Sequence, residues 1–285
     1  MRRFALVILG VLCLTAAGAA SADNWSKNYP ITTRARLHFT TQDGEIDLVG
    51  TTDKQVSVNV ETVGWKIGAD DVAINEHQTG DNVEIEIRTP RDHHWFISFG
   101  VDHRSIHITV HVPVDSDIDV HTGDGHINAS NVKGESRLDT GDGTIRADHF
   151  QGNIHLHTGD GRIEGFDFDG TVFADSGDGH ISVRGRFDRL DLHSGDGSIE
   201  ATVESGSRMT GPWTLRTGDG HINMRLPENF AANVDAHTGD GRVTLSYPVT
   251  ISGTIDRGTI RGKMGNGGDT LMLRSGDGSI SIDRL

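Results

Sequence analysis

The chain has 285 residues, a formal net charge of −15, 37 glycines, 6 prolines and one cysteine. So acidic a chain excludes nucleic acid and anionic membrane as partners, because both would repel it. A lone cysteine excludes a disulfide framework, and abundant glycine with little proline points to many tight turns, not a flexible linker.

The chain opens on Arg2 and Arg3, an apolar run from Phe4 to Leu14, and the small residues Ala20-Ser21-Ala22. The run is too short to span a bilayer and has the length of a signal-peptide core. Residues 1–22 are therefore expected to be a signal peptide. The mature chain then starts at Asp23, in the periplasm or at the cell surface or secreted. Cys13 lies inside the apolar run after Val11-Leu12, which does not suit a lipid-anchor site. Cleavage removes two arginines, no acid and the only cysteine, and no later stretch is apolar enough for a transmembrane helix.

Residues 34–49 read as a first coil, with Leu37, Phe39 and Thr41 before Asp43 and Ile46 and Leu48 after it. Residues 50–116 read as a β excursion that caps this coil. Its strands fall at 56–63, 83–87 and 106–112, and its loops at 64–80 and 89–104. The second loop carries His93-His94-Trp95-Phe96, with Asp92, His103 and Arg104 nearby in sequence. Exposed aromatics beside histidines suit a sugar or a protein partner, or else a lid over the end of the fold.

Residues 117–245 carry the regular repeat. Gly-Asp-Gly occurs eight times in the whole chain, centred on Asp124, Asp142, Asp160, Asp178, Asp196, Asp219, Asp240 and Asp277. The first four spacings are 18 residues, and a fixed period of this kind takes precedence over every other signal. Counting each Asp as zero, apolar residues recur at −6, −4 and +3, and Thr or Ser always stands at −2. This is period-two alternation, the mark of strands on both sides of the triplet. Positions −4 and +3 both face inward, so the parity changes at the triplet and the triplet is a corner. Apolar Val132, Phe150 and Phe168 at +8, then Gly134, Gly152 and Gly170 at +10, mark a second corner. Units this short bury their apolar face only by stacking, with like residue over like. The Thr/Ser column is expected to bond backbone groups at the corner.

Residues 246–285 read as an irregular segment and a last coil. The chain from 23 to 285 is thus read as one all-β, single β-solenoid domain. Val112-Pro113-Val114, the Thr-Gly-Asp-Gly-x-Ile repeats, Leu226-Pro227-Glu228-Asn229-Phe230 and Gly262 to Gly268 before Ser275-Gly276-Asp277-Gly278-Ser279-Ile280 resemble the bacterial putative-adhesin β-strand-repeat family. That resemblance implies a solenoid and an envelope location. It implies no catalytic residue.

Two columns could carry chemistry. The carboxylates of Asp124, Asp142, Asp160, Asp178 and Asp196 could recruit Ca²⁺, or could simply accept hydrogen bonds from turn amides. His121, Asp139, His157, Asp175 and His193 alternate at −3 on the outer face, and could hold Zn²⁺ or form a charge-alternated surface that fixes register. No resident cofactor and no catalytic residue is expected. The sequence contains no nucleophile elbow and no phosphate loop. The resulting expectation is a non-enzymatic envelope protein, adhesin-like, presenting a repetitive acidic surface to an envelope protein or polysaccharide. Two alternatives stay open: a carbohydrate-active β-helix enzyme with convergent acids against the excursion, and a metal-binding protein using either column.

Overall fold

The computed structural model describes residues 22–68, 71–89, 104–247 and 249–285. Among these residues there are 21 strands and no helix, hence no helix long and apolar enough to cross a membrane. Residues 1–21 of the expected signal peptide 1–22, and the His93–Phe96 cluster, lie outside the described residues.

The regular region is a stack of parallel strands in register. β8 (Ser116–Thr122), β9 (Ile127–Thr140), β10 (Ile145–Thr158), β11 (Ile163–Ser176), β12 (Ile181–Ser194) and β13 (Ile199–Val203) wind up it. Residues pair with their equivalents one repeat away, as in Ile127↔Ile145 and Ile145↔Ile163, except at the second corner between β11 and β12, where the register slips by one over Phe168–Gly170. The architecture is the β-solenoid that the repeat predicts. β9 to β12 each run 14 residues through the second corner, where the sequence suggests two short strands. That corner is a bend within a continuous strand. Asn131, His149 and Asp167 there adopt left-handed conformations with φ of 60°, 56° and 51°.

The order of coils departs from the order in sequence. At one end, β2 (Ala35–Thr41) and β3 (Glu45–Thr51) form a coil lodged between two later ones. On one side β2 and β3 pair with β8 and β9; on the other they pair with β6 (Asn82–Arg88) and β7 (Ser105–Pro113). The opposite end repeats the device. β14 (Trp213–Thr217) and β15 (Ile222–Leu226) pair not with the next coil in sequence but with β20 (Thr270–Ser275) and β21 (Ile280–Arg284). Those in turn pair with β16 (Ala232–Thr238) and β17 (Val243–Leu245). The first and last coils in sequence therefore each sit one layer inside the stack.

The outermost layers end in antiparallel strands. β4 (Gln55–Val63) lies on β7, β1 (Ala22–Pro30) on β4, and β5 (Ala73–Thr79) on β6. At the other end β19 (Thr259–Met264) lies on β16 and β18 (Val249–Ile255) on β19. Reversing direction ends the parallel template that would otherwise recruit another chain. Two expectations from the sequence change here. Residues 64–80, expected as a loop, hold strand β5, and the irregular 246–270 stretch holds two strands. Residues 50–116 also complete a coil, β6 with β7, besides covering one.

The core is a set of ladders through these coils. One runs Ile108, Ile46, Ile127, Ile145, Ile163, Ile181, Ile199, Ile222, Ile280 and Val243, all buried. Burying one such side chain contributes roughly 1.5–3 kcal/mol. At the β1–β2 link, Asp81 clamps the chain by accepting from the backbone and hydroxyl of both Thr32 and Thr33. Those bonds hold its carboxyl well below the usual carboxylate range.

The interleaved order predicts unequal tolerance of deletion. Removing residues 143–160 deletes one whole repeat, and the chain is expected to keep folding cooperatively. Removing residues 270–285 takes away the layer between β14–β15 and β16–β17. Hydrogen exchange is then expected to show residues 232–245 unprotected, an outcome that a sequential stack would not give.

Candidate functional site

The Gly-Asp-Gly corner is built by hydroxyls and close backbone contact. Thr140 Oγ1 donates to the Gly125 carbonyl of the coil below at 2.8 Å and accepts from Gly143 N–H of its own coil at 3.2 Å. Thr158, Ser176, Ser194, Thr217, Ser275 and Thr238 repeat both bonds along the stack. The column read from the sequence as a hydroxyl ladder is one. Glycine is required for space: a Cβ on Gly143 would lie 1.8 Å from the Gly125 carbonyl oxygen. Gln42 replaces the first glycine in the β2–β3 coil, Gly44 takes φ of 115°, and the Thr122 hydroxyl above it finds no partner.

Between the glycines, the aspartates project outward. In stack order they are Asp43, Asp124, Asp142, Asp160, Asp178, Asp196, Asp219, Asp277 and Asp240, all exposed. Among the described residues their carboxylates have no hydrogen-bond or ion-pair partner. The expected bonds to turn amides are not made, because the inward hydroxyls already serve those amides. Asp43 is exposed, yet partial desolvation by the protein around it, and then the charge of Asp124 next door, push its carboxyl above its usual range.

The outward −3 column pairs as its alternation predicts. His121 Nδ1 lies 3.7 Å from Asp139 Oδ1, and Asp175 sits between His157 at 3.1 Å and His193 at 2.7 Å. On the same face His155 stacks on Phe173 at 4.8 Å, with the Arg189 guanidinium 5.5 Å from the Phe173 ring. Neither this column nor the aspartate file brings three ligand atoms within 4.8 Å of one another. Of the three histidines at +2, His126 and His221 serve the backbone instead. His126 Nδ1 accepts from Thr144 N–H and His221 Nδ1 from Ser279 N–H, both at 3.0 Å.

Among the described residues, one cluster does bring three ligand atoms that close: Asp148, His149 and Asp167 at the second corner. The sequence reading missed it. The available signal was the column Asn131, His149, Asp167, because Asn, Asp and His are the non-glycine residues most often left-handed.

Two grooves bear on catalysis. One of about 320 Å³, against the excursion, is lined by His38, Glu76, His77, Glu84 and Glu86. Lys27 hydrogen-bonds Glu76, and Arg88, then Asn75, hydrogen-bond Glu86, holding both carboxyls below their ordinary range. Neither of these two is the raised carboxyl that a glycosidase uses as proton donor. A second groove of about 670 Å³ opens where segments 205–209, 227–231 and 267–269 interrupt the repeat. Met209 and buried Phe230 line it together with Arg208 and Asp269.

A family profile described as Toastrack DUF4097 matches residues 34–283, which is nearly all of the solenoid. The chain belongs to that family. The Toastrack chain thus meets the family expectation raised by its repeats. No curated protein matches it. A putative lipid binding protein from Parabacteroides distasonis is 15% identical at a TM-score of 0.49, with 93% of this chain and 98% of that one covered. A putative adhesin from Bacteroides fragilis is 13% identical at 0.45, with 92% and 97% covered. A putative cell adhesion protein from Clostridium sporogenes is 12% identical at 0.32, with 93% and 100% covered. Likeness this distant says nothing of what the Toastrack chain binds.

Two substitutions test the corner. Thr158→Val keeps the shape but strands the Gly143 carbonyl and the Gly161 N–H, and is expected to cost about 1–3 kcal/mol in chemical denaturation. Asp43→Asn is expected to act in the opposite direction. A carboxyl raised on folding costs nothing where it is protonated in both states, and weighs on the fold once pH rises through its folded value. The substitution should therefore raise the unfolding midpoint slightly at pH 7, and the gain should vanish as pH falls below the carboxylate range.

Proposed function

We propose that this chain is a non-enzymatic, exported envelope protein, an adhesin-like solenoid whose acidic corner is its recognition surface. The partner is an envelope protein or polysaccharide bearing cationic groups. The observation that carries the reading is the unpartnered aspartate file. Its nine carboxylates stand about 4.8 Å apart, a line of about 38 Å. Neighbouring charges at that spacing repel by roughly 0.9 kcal/mol per pair in water. Hydroxyls and glycines build the corner without them, so the fold bears this repulsion with no structural return. A quasi-one-dimensional stack also suits extended, multivalent recognition, in which weak contacts sum. The signal-peptide-like start of the chain supports export.

The test is retention of the purified mature chain on isolated cell envelopes across a salt series. Replacing Asp142, Asp160 and Asp178 together by Ser is expected to weaken retention at least tenfold and flatten its salt dependence, while the unfolding midpoint holds or rises. Unchanged retention would remove the aspartate file from the function.

A further inference from the structure

We propose that Asp148, His149 and Asp167 form a binding site for one divalent transition-metal ion of the Zn²⁺ class, on the outer side of the second corner. At this corner one imidazole stands between two carboxylates. His149 Nδ1 lies 2.9 Å from Asp148 Oδ1, and its Nε2 lies 3.4 Å from Asp167 Oδ2. A neutral imidazole has one N–H and one lone pair. Neither contact is aligned as a hydrogen bond, so the ring lone pair and both carboxylates remain available to a cation. One divalent ion can be held jointly by one ring nitrogen and both carboxylates.

Among the described residues no other side chain donates to either carboxylate. The nearby arginines are committed elsewhere, Arg146 to Glu164, Arg186 to Asp169 and Arg184 to Glu204. Asp148 and Asp167 have no partner but His149 among the described residues. His107 offers the instructive contrast, since it too lies between carboxylates, those of Glu45 and Asp47. There the Asn128 amide donates to both acids, and the ligand atoms do not converge.

The site is also held in place. His149 and Asp167 occupy the same left-handed position on adjacent coils, and the flanking pairs Asp148↔Phe166 and Gln151↔Asp169 lock the two backbones in register. Ligand atoms on one tetrahedral ion lie roughly 3.3–3.5 Å apart, given bonds of about 2.0–2.1 Å. The three atoms already lie within 4.8 Å of one another. One imidazole with two carboxylates selects Zn²⁺, Ni²⁺ or Cu²⁺ over Ca²⁺ and Mg²⁺. Three protein ligands leave a coordination position open to solvent or to a donor on a partner.

The experiment is calorimetric titration of the chelator-treated mature chain with Zn²⁺, repeated on His149→Asn, Asp167→Asn and His157→Asn. The first variant places at 149 the residue that holds the same left-handed position at 131, so the corner is retained. The second leaves the histidine untouched. The expected result is one Zn²⁺ per chain at micromolar affinity or tighter, weakened at least tenfold in both corner variants, unchanged in His157→Asn, and not displaced by millimolar Ca²⁺. Three outcomes would overturn the site. Absence of stoichiometric binding would mean that the triad holds no ion. Binding that survives both corner variants, or that is lost in His157→Asn, would place the ion on the −3 ladder.

Discussion

The structure depends on how closely successive coils approach at the Gly-Asp-Gly corner. The Gly141 N–H donates directly to the Gly123 carbonyl below it, and the same bond recurs up the stack. At that separation no side chain fits at either glycine position. Along the regular coils the corner therefore takes glycine at both positions, and its recurrence every 18 residues sets the register of the strands on either side. Once Thr158 lies over Thr140 and Gly161 over Gly143, Ile163 must lie over Ile145. The apolar ladders follow from the corner as much as the corner follows from them.

In-register stacking multiplies whatever residue a column holds. An isoleucine repeated up the stack yields continuous burial, whereas an aspartate repeated yields continuous repulsion. The two columns beside each other on the outer surface treat this differently. At −3 the charges alternate, so His157, Asp175 and His193 meet as opposites whenever the imidazoles are protonated. At the corner itself they do not alternate. A repulsion of roughly 0.9 kcal/mol per pair is small beside the roughly 1.5–3 kcal/mol of each buried rung. The fold tolerates the acidic file but does not call for it.

Column logic also sets what can be read without coordinates. Val120, Leu138 and Leu156 could be placed inward, and Thr122 and Thr140 at the corner, because each position answers to the period alone. The layer order could not. Leu271-Met272-Leu273 and Val234-Asp235-Ala236 offer the same in-out-in pattern to Trp213-Thr214-Leu215, so no column distinguishes which coil lies next. Strand β5 escapes a sequence reading for a related reason. It is an edge strand whose residues Glu76, His77 and Gln78 carry little apolar alternation, and its pairing with β6 comes from the hairpin turn at Gly80. The turn chemistry of the aspartates misleads because an Asp between glycines ordinarily serves its own backbone. Here Thr and Ser two residues earlier already do so.

The second corner separates a residue choice made by the backbone from one that is not. Left-handed φ at 131, 149 and 167 restricts that column to Asn, Asp, His or Gly, and the chain uses three of the four. Conformation thus accounts for His149 and Asp167 without reference to any ligand. It does not account for Asp148. The preceding column reads Ser130, Asp148, Phe166 and Arg184, a sequence with no shared size, charge or polarity and no left-handed member. Nothing in the backbone asks for a carboxylate at 148, and a serine or an arginine there would leave the corner intact. An arginine would also relieve the negative charge of Asp167 on the next coil. The chain instead sets a second acid against the imidazole, at the place where the fold already supplies the first.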